Sequence, residues 1–312
     1  MVLNDLFGRP LLNLRMAITR RCDLRCHFCH REGEEEPDNE SKREMTVDEI
    51  GRIVKIAADL GVAKVKLTGG EPLSRKDVLE IVERISLTPG LSDLSMTTNG
   101  SLLAPLAKEL HQRGLKRVNI SLPTLDAEVY HKLTGGRIAD VLAGVEAAVE
   151  ARFDPVKLNM LILKCVNDYE FSSMLRFAEE KGAILQLIEL EPLNIQEGYY
   201  LANHKTLDAY ESMLRQKAVK VETRQFMQNR RIYHLPQVRV EVIHPTENTE
   251  FCRNCTRMRV TSEGKLKPCL MRNDNLVDIL TPMRNGASDT EIARLFELAN
   301  QKREPHCDIN RQ

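Results

Sequence analysis

VDEIGRIVKIAADLG (residues 47–61), followed two residues later by KVKLTG (64–69), reads as an amphipathic helix that delivers the chain into a short β-branched strand. The phrase repeats. SRKDVLEIVERI (74–85) leads to LSMTTNG (94–100), and PLAKELHQRG (105–114) to RVNISL (117–122). IADVLAGVEAAVEA (138–151) leads to VKLNMLILK (156–164), and EFSSMLRFAEEKG (170–182) to ILQLIEL (184–190). With LNLRMAIT (12–19) in front, six strands alternate with helices. Repeated βα units make a parallel sheet with right-handed crossovers. Six strands are too few for the closed eight-stranded barrel, so the expected fold is α/β, an open partial (β/α)6 barrel. Ligands of such a fold sit beyond the carboxyl ends of its strands.

The polar features fall where that rule puts them. RRCDLRCHFC (20–29), just after the first strand, spaces Cys22, Cys26 and Cys29 as C-x3-C-x2-C, with Phe28 before the third cysteine. Three thiolates can hold three irons of a [4Fe-4S] cube and leave the fourth open, where four is the usual protein set. An open iron can be chelated by S-adenosylmethionine and pass it an electron, cleaving it to a carbon radical. The same spacing also suits a zinc knuckle or a redox dithiol, and His27 and His30 are close enough to serve zinc. Downstream, VKLTGGEPL (65–73) ends a strand in two glycines and the carboxylate of Glu71, a turn that would suit a bound amino acid. TTNG and Ser121 of NISLP close two further strands.

Composition limits the function classes. The 45 basic residues balance 45 acidic ones, so no global field draws the chain to nucleic acid or an anionic membrane. No apolar run approaches the ~20 residues of a membrane span, and MVLNDLFGRPLLNLR lacks a signal peptide's apolar region, so a cytoplasmic location is expected. At 312 residues the core needs no disulfide staples, which leaves the eight cysteines for chemistry. Cys165, within the apolar strand, reads as a core residue. Cys307 lies in a polar tail and is not a prenylation box. EGEEEPDNE (32–40) reads as a solvated loop, with a lid over the cluster as the alternative.

After residue 203 the rhythm stops. A helix around HKTLDAYESMLRQK (204–217) leads to RIYHLPQVRVEVIH (231–244), which alternates like antiparallel strands, and SDTEIARLFELANQKRE (288–304) reads as a closing helix. We therefore expect a partial barrel over 1–220 and a smaller region over 221–312. In the latter, FCRNCTRMRVTSEGKLKPC (251–269) spaces Cys252, Cys255 and Cys269 as C-x2-C-x13-C, with SEGK as the turn that returns the third cysteine. A second three-thiolate [4Fe-4S] cluster and a zinc ribbon both fit. Arg257 and Arg259 alternate along a strand and face one way, as guanidinium forks for a phosphorylated substrate would.

The cluster loop and GGEP resemble those of the radical S-adenosylmethionine superfamily. LRMAITRRCDLRCHFC, KLTGGEPL, MTTNG, VNISL and FCRNCTRMRVTSEGKLKPCL together resemble the GTP 3',8-cyclases, the molybdenum cofactor biosynthesis protein A family, over residues ~10 to 280. The resemblance implies two [4Fe-4S] clusters, on Cys22, Cys26 and Cys29 and on Cys252, Cys255 and Cys269. It implies S-adenosylmethionine at Phe28, Gly70, Glu71 and Ser121, and GTP at Arg15, Lys66, Thr97, Lys157, Arg257 and Arg259. The implied reaction forms 3',8-cyclo-7,8-dihydro-GTP through a 5'-deoxyadenosyl radical. A flavodoxin- or ferredoxin-type electron donor, cyclic pyranopterin monophosphate synthase as the next enzyme, and room for a homodimer follow from the same resemblance. Two features depart from the bacterial pattern: Glu191 stands in IELEPLN where methionine enters the cofactor pocket, and HCDINRQ replaces a Gly-Gly tail, which leaves either an ordinary terminus or one in which Arg303 or Arg311 takes over the tail's role. The competing readings are a similar enzyme acting on a peptide or tetrapyrrole, and a zinc-stabilised binding module.

Overall fold

The computed structural model describes residues 2–34, 44–245 and 248–306. The six expected strands are present as β1 (Asn13–Ala17), β2 (Lys64–Thr68), β3 (Asp93–Thr98), β4 (Arg117–Ser121), β5 (Val156–Ile162) and β6 (Ile184–Glu189), each paired in parallel with the next. Between them run α1 (Val47–Asp59), α2 (Val78–Ser86), α3 (Ala107–Gln112), α4 (Ala127–Thr134), α5 (Ile138–Glu150) and α6 (Phe171–Glu180). Period-2 alternation divides the strand residues between two faces. Leu14, Met16, Val65, Leu67, Met96, Ile120, Leu158 and Leu187 are fully buried in the core shared with the helices, at ~1.5–3 kcal/mol each for the larger side chains. The residues between them are polar and border a cavity.

The remaining elements are α7 (Glu197–Asn203), α8 (Asp208–Lys217), β7 (Lys220–Arg224), β8 (Arg230–His234), β9 (Arg239–Ile243), α9 (Thr249–Arg253), β10 (Arg257–Val260), β11 (Lys265–Lys267), β12 (Val277–Asp278), α10 (Leu280–Arg284) and α11 (Asp289–Gln301). The antiparallel pair β8–β9 is present as expected. The parallel run is longer than six, however, because β9 joins β6 and β10 joins β1, both in parallel. The strand order is β12-β11-β10-β1-β2-β3-β4-β5-β6-β9-β8-β7. The sheet stays unclosed: its parallel run ends in the antiparallel strands β8 and β7 on one side and β11 and β12 on the other. Thr46 and Ser288 cap α1 and α11 with reciprocal side-chain bonds to Glu49 and Glu291, which fixes where both helices start. Among the described residues no helix is long and apolar enough to cross a membrane.

A cavity between two cysteine triplets

The loop after β1 carries Cys22, Cys26 and Cys29 and is pinned by the turn after β2. Gly70 N–H donates to the Thr19 carbonyl at 2.8 Å, and Glu71 N–H to that of Arg21 at 2.7 Å. A Cβ at Gly69 would stand 2.2 Å from the Thr19 oxygen, and one at Gly70 2.2 Å from that of Arg21, so the close approach these glycines permit is to the chain's own cysteine loop. Asp23 adds a second tie, accepting from Asn99 Nδ2 at 2.8 Å and from the Ser101 hydroxyl. Two thiols already receive backbone donors: Leu24 N–H points at Cys22 Sγ and Arg31 N–H at Cys29 Sγ, both at 3.4 Å.

The second triplet is built at the other end of the chain. Cys252 lies in α9, Cys255 follows it, and Cys269 comes two residues after β11, returned by a turn in which Gly264 adopts φ +70°. Buried Arg303 donates to the Cys255 carbonyl and pairs with Asp5 at 3.3 Å, which fastens the C-terminal segment to this loop. The first triplet follows the end of β1 and Cys255 precedes the start of β10, its parallel neighbour. The two triplets therefore stand at opposite ends of that strand pair, with Arg15, Arg257 and Arg259 between them. All six cysteines border one cavity of about 380 Å³.

None of the six is part of a disulfide. Burial pushes Cys22 up to about 11 and Cys26 higher still, with neighbouring Cys29 adding to the effect on Cys26. A bound metal reverses that preference by stabilising thiolates. Among the described residues no three His, Cys, Asp or Glu side chains converge as ligands of a single ion. Each triplet borders the cavity instead, and three cysteines without disulfides are the donor type that an iron–sulfur cluster takes.

The cavity's middle is basic. Arg259, Arg15 and Lys66 are direct register partners on β10, β1 and β2, and Thr97, Asn119 and Lys157 form a second row on β3, β4 and β5. Like charges abreast on adjacent strands are destabilising. Burial, and then Arg117, Arg15 and Lys157, push the Lys66 ammonium well below its usual range; its Nζ donates to Asn119 Oδ1 at 2.7 Å. Lys157 pairs with fully buried Glu241 at 2.5 Å. Arg15 Nε is buried without a hydrogen-bond partner, and so is Arg230 Nε. Cations that converge with donors to spare form a site for a polyanion.

Phe28, Gly70, Ser121, Arg15, Lys66, Thr97, Lys157, Arg257 and Arg259 all border the cavity. Glu71 lies behind the wall, fully buried, its carboxylate accepting from Leu73 N–H, Asn99 N–H and the Thr98 hydroxyl at 2.7–2.9 Å. Burial raises it to about 7 against the pull of those donors. Glu191 borders the cavity with Oε2 buried and unbonded. Three expectations need correction or fall outside the described residues. Cys165 is exposed, because β5 ends at Ile162 and residue 165 sits in a turn at φ +58°. The first part of the acidic run is not solvated: Glu32 pairs with Arg15 and Arg259, and Glu34 is buried against Ser262. Residues 35–40 of that run, together with Cys307 and Arg311, lie outside the described residues. Arg117, Arg224 and Arg230 also line the cavity and were missed. The signal for Arg117 was available, since Arg117, Asn119 and Ser121 alternate along RVNIS.

Comparison with known proteins agrees with this geometry. The radical SAM superfamily profile matches residues 16–178, and the profile described as Molybdenum Cofactor Synthesis C matches 183–309. Relatives named "Probable GTP 3',8-cyclase" include one from Thermococcus kodakarensis, 49% identical over 98% of this chain and 99% of its own length. Another, from Methanocaldococcus jannaschii, is 43% identical over 98% of this chain and all of its own length. The crystal structure of Streptococcus suis SuiB bound to S-adenosylmethionine is similar in fold, with a TM-score of 0.64 at 17% identity over 92% of this chain and 69% of its own. Native anSMEcpe with bound AdoMet gives 0.62 at 16% identity, over 93% and 81%.

Proposed function

The chain belongs to the GTP 3',8-cyclase family of radical SAM enzymes, which act in molybdenum cofactor biosynthesis, and from that premise we propose how its cavity divides the work. A radical SAM enzyme carries a [4Fe-4S] cluster and binds S-adenosylmethionine. Cys22, Cys26 and Cys29 would hold that cluster, with Phe28, Gly70 and Ser121 against the cofactor and Glu71 bracing the turn behind it. When bound there, S-adenosylmethionine would supply the radical chemistry for hydrogen abstraction at C3' of GTP and closure of C3' on C8, with one electron from the reductant and one proton completing the 7,8-dihydro product. A second [4Fe-4S] cluster on Cys252, Cys255 and Cys269 would hold the base at the opposite end.

The observation that carries this reading is the basic row Arg259–Arg15–Lys66, lying in one cavity between two cysteine triplets. A triphosphate explains those cations, whereas a peptide substrate gives no reason for them to converge. Thr97 and Lys157, in the adjoining row, extend the contact surface, and the guanidinium forks of Arg257 and Arg259 suit phosphate or base oxygens. We infer an electron donor of flavodoxin or ferredoxin type, and a product passed on to cyclic pyranopterin monophosphate synthase. Anaerobic turnover of reconstituted protein with GTP, S-adenosylmethionine and dithionite tests the reading. It should yield 3',8-cyclo-7,8-dihydro-GTP, and a brown, iron-loaded protein that cleaves S-adenosylmethionine yet leaves GTP intact would defeat it.

A further inference from the structure

Where the first cysteine loop passes into the acidic run lies a turn, residues 31–34, that cluster binding by itself does not require. Its backbone is strained, with Arg31 at φ 49° and Glu32 at φ 53° in the left-handed region that non-glycine residues rarely enter. Gly33 follows at φ +70°, so close to the second cysteine hairpin that a Cβ there would stand 2.4 Å from the carbonyl oxygen of Leu270, the residue after Cys269. Lys267 Nζ donates to the Gly33 carbonyl at 3.1 Å, and Glu34 accepts from the Ser262 N–H at 2.9 Å and its hydroxyl at 2.6 Å. The turn is thus clamped to the hairpin of β10 and β11 while remaining tethered to Cys29. Strain persists only where the surroundings over-determine it.

What the strained turn delivers is one carboxylate. Glu32 Oε1 lies 3.0 Å from Arg15 Nη2 and Oε2 lies 2.6 Å from Arg259 Nη1, bridging two guanidinium groups that the sheet register sets side by side. The side chain is only 11% exposed. Burial alone would raise the pKa of its carboxyl, but Arg15 and Arg259 hold it down to about 2. We propose that Glu32 is a positioning residue for the substrate arginines, gripping one terminal nitrogen of each so that both forks face the nucleotide in register with the two cysteine loops. Without the bridge the like charges splay apart, and long side chains regain the rotamers that the bridge denies them. The unbonded Arg15 Nε is among the donors left for the ligand. This inference rests on the nucleotide reading of the cavity.

A double-mutant cycle on anaerobically reconstituted enzyme tests it, using Glu32→Gln, Arg259→Lys and the pair. The readouts are the GTP dissociation constant, by competition with a fluorescent GTP analogue, and the ratio of 5'-deoxyadenosine formed to nucleotide cyclised. If Glu32 acts through Arg259, the Arg259→Lys loss, about tenfold in the native background, shrinks to less than about twofold once Glu32 is Gln. Glu32→Gln alone should raise the 5'-deoxyadenosine ratio while iron content and S-adenosylmethionine cleavage hold. Should Glu32→Gln lose its iron, Glu32→Asp, too short to span both arginines, completes the same cycle. Losses that multiply independently would overturn the role of Glu32 and leave the nucleotide reading standing. A native enzyme that binds no GTP would overturn both.

Discussion

Arg259 has few ways to be accommodated except by an anion. It sits beside Arg15 in register, is largely buried, and shares one carboxylate with that neighbour. A charge-assisted hydrogen bond from its remaining donors to the substrate is worth about 1.5–3 kcal/mol. Arg259→Ala should therefore weaken GTP binding by about that amount and leave S-adenosylmethionine binding nearly unchanged. Arg259→Lys, which keeps the charge but loses the fork, should recover little of it. Titration calorimetry with each ligand checks this, and equal GTP affinity in all three proteins would return Arg259 to a structural role. Arg257 and Arg259 were legible because they alternate along RMRV, whereas Arg15, Lys66, Thr97 and Lys157 came only from the family resemblance. Glu32 was not legible. A run of acids in sequence reads as solvent-facing, and only the pairing of β1 with a strand from the far end of the chain shows which cations those acids meet.

At the scale of elements, the second region is tied to the barrel through a compact ionic joint. His244, just after β9, stands between Glu189 at the end of β6, 2.8 Å away, and Glu211 of α8, 3.4 Å away; Glu211 also accepts from the Tyr233 hydroxyl on β8, and His204 after α7 reaches Glu189 at 2.7 Å. Burial lowers the imidazole's basicity, but the two carboxylates outweigh it and raise it to about 9 from the ordinary 6.5. The folded state thus holds a proton that the unfolded chain releases sooner. The joint's contribution to stability is complete below about pH 6.5 and is lost as pH rises through about 9. Melting temperatures should fall across that window in the native protein, and fall less in His244→Gln. Parallel curves for the two would contradict the joint. The six βα units were legible because helix and strand periods alternate on a fixed beat, and the hairpin of β8 and β9 because it is local. The parallel joins of β9 to β6 and of β10 to β1 were not, since a parallel partner leaves no turn signature between the strands it unites.

Across the whole molecule the unclosed sheet lets two distant segments share one cavity. Cysteines from the two ends of the chain meet across the β1–β10 pair, one triplet at the end where β1 finishes and the other where β10 begins, with the cations between them. On the proposed function, such an arrangement would separate the chemistry into a radical-generating end and a substrate-holding end. Both triplets were legible from spacing; their opposite placement required the direction of β10. The central claim is that division of labour, and the most direct measurement is a side-by-side anaerobic assay of 5'-deoxyadenosine and cyclised nucleotide in Cys26→Ala and Cys255→Ala. The account predicts that Cys26→Ala forms neither product, whereas Cys255→Ala still cleaves S-adenosylmethionine in part and forms no 3',8-cyclo-7,8-dihydro-GTP. Equal loss of both activities in two folded variants, or cyclisation that survives in Cys255→Ala, would contradict it.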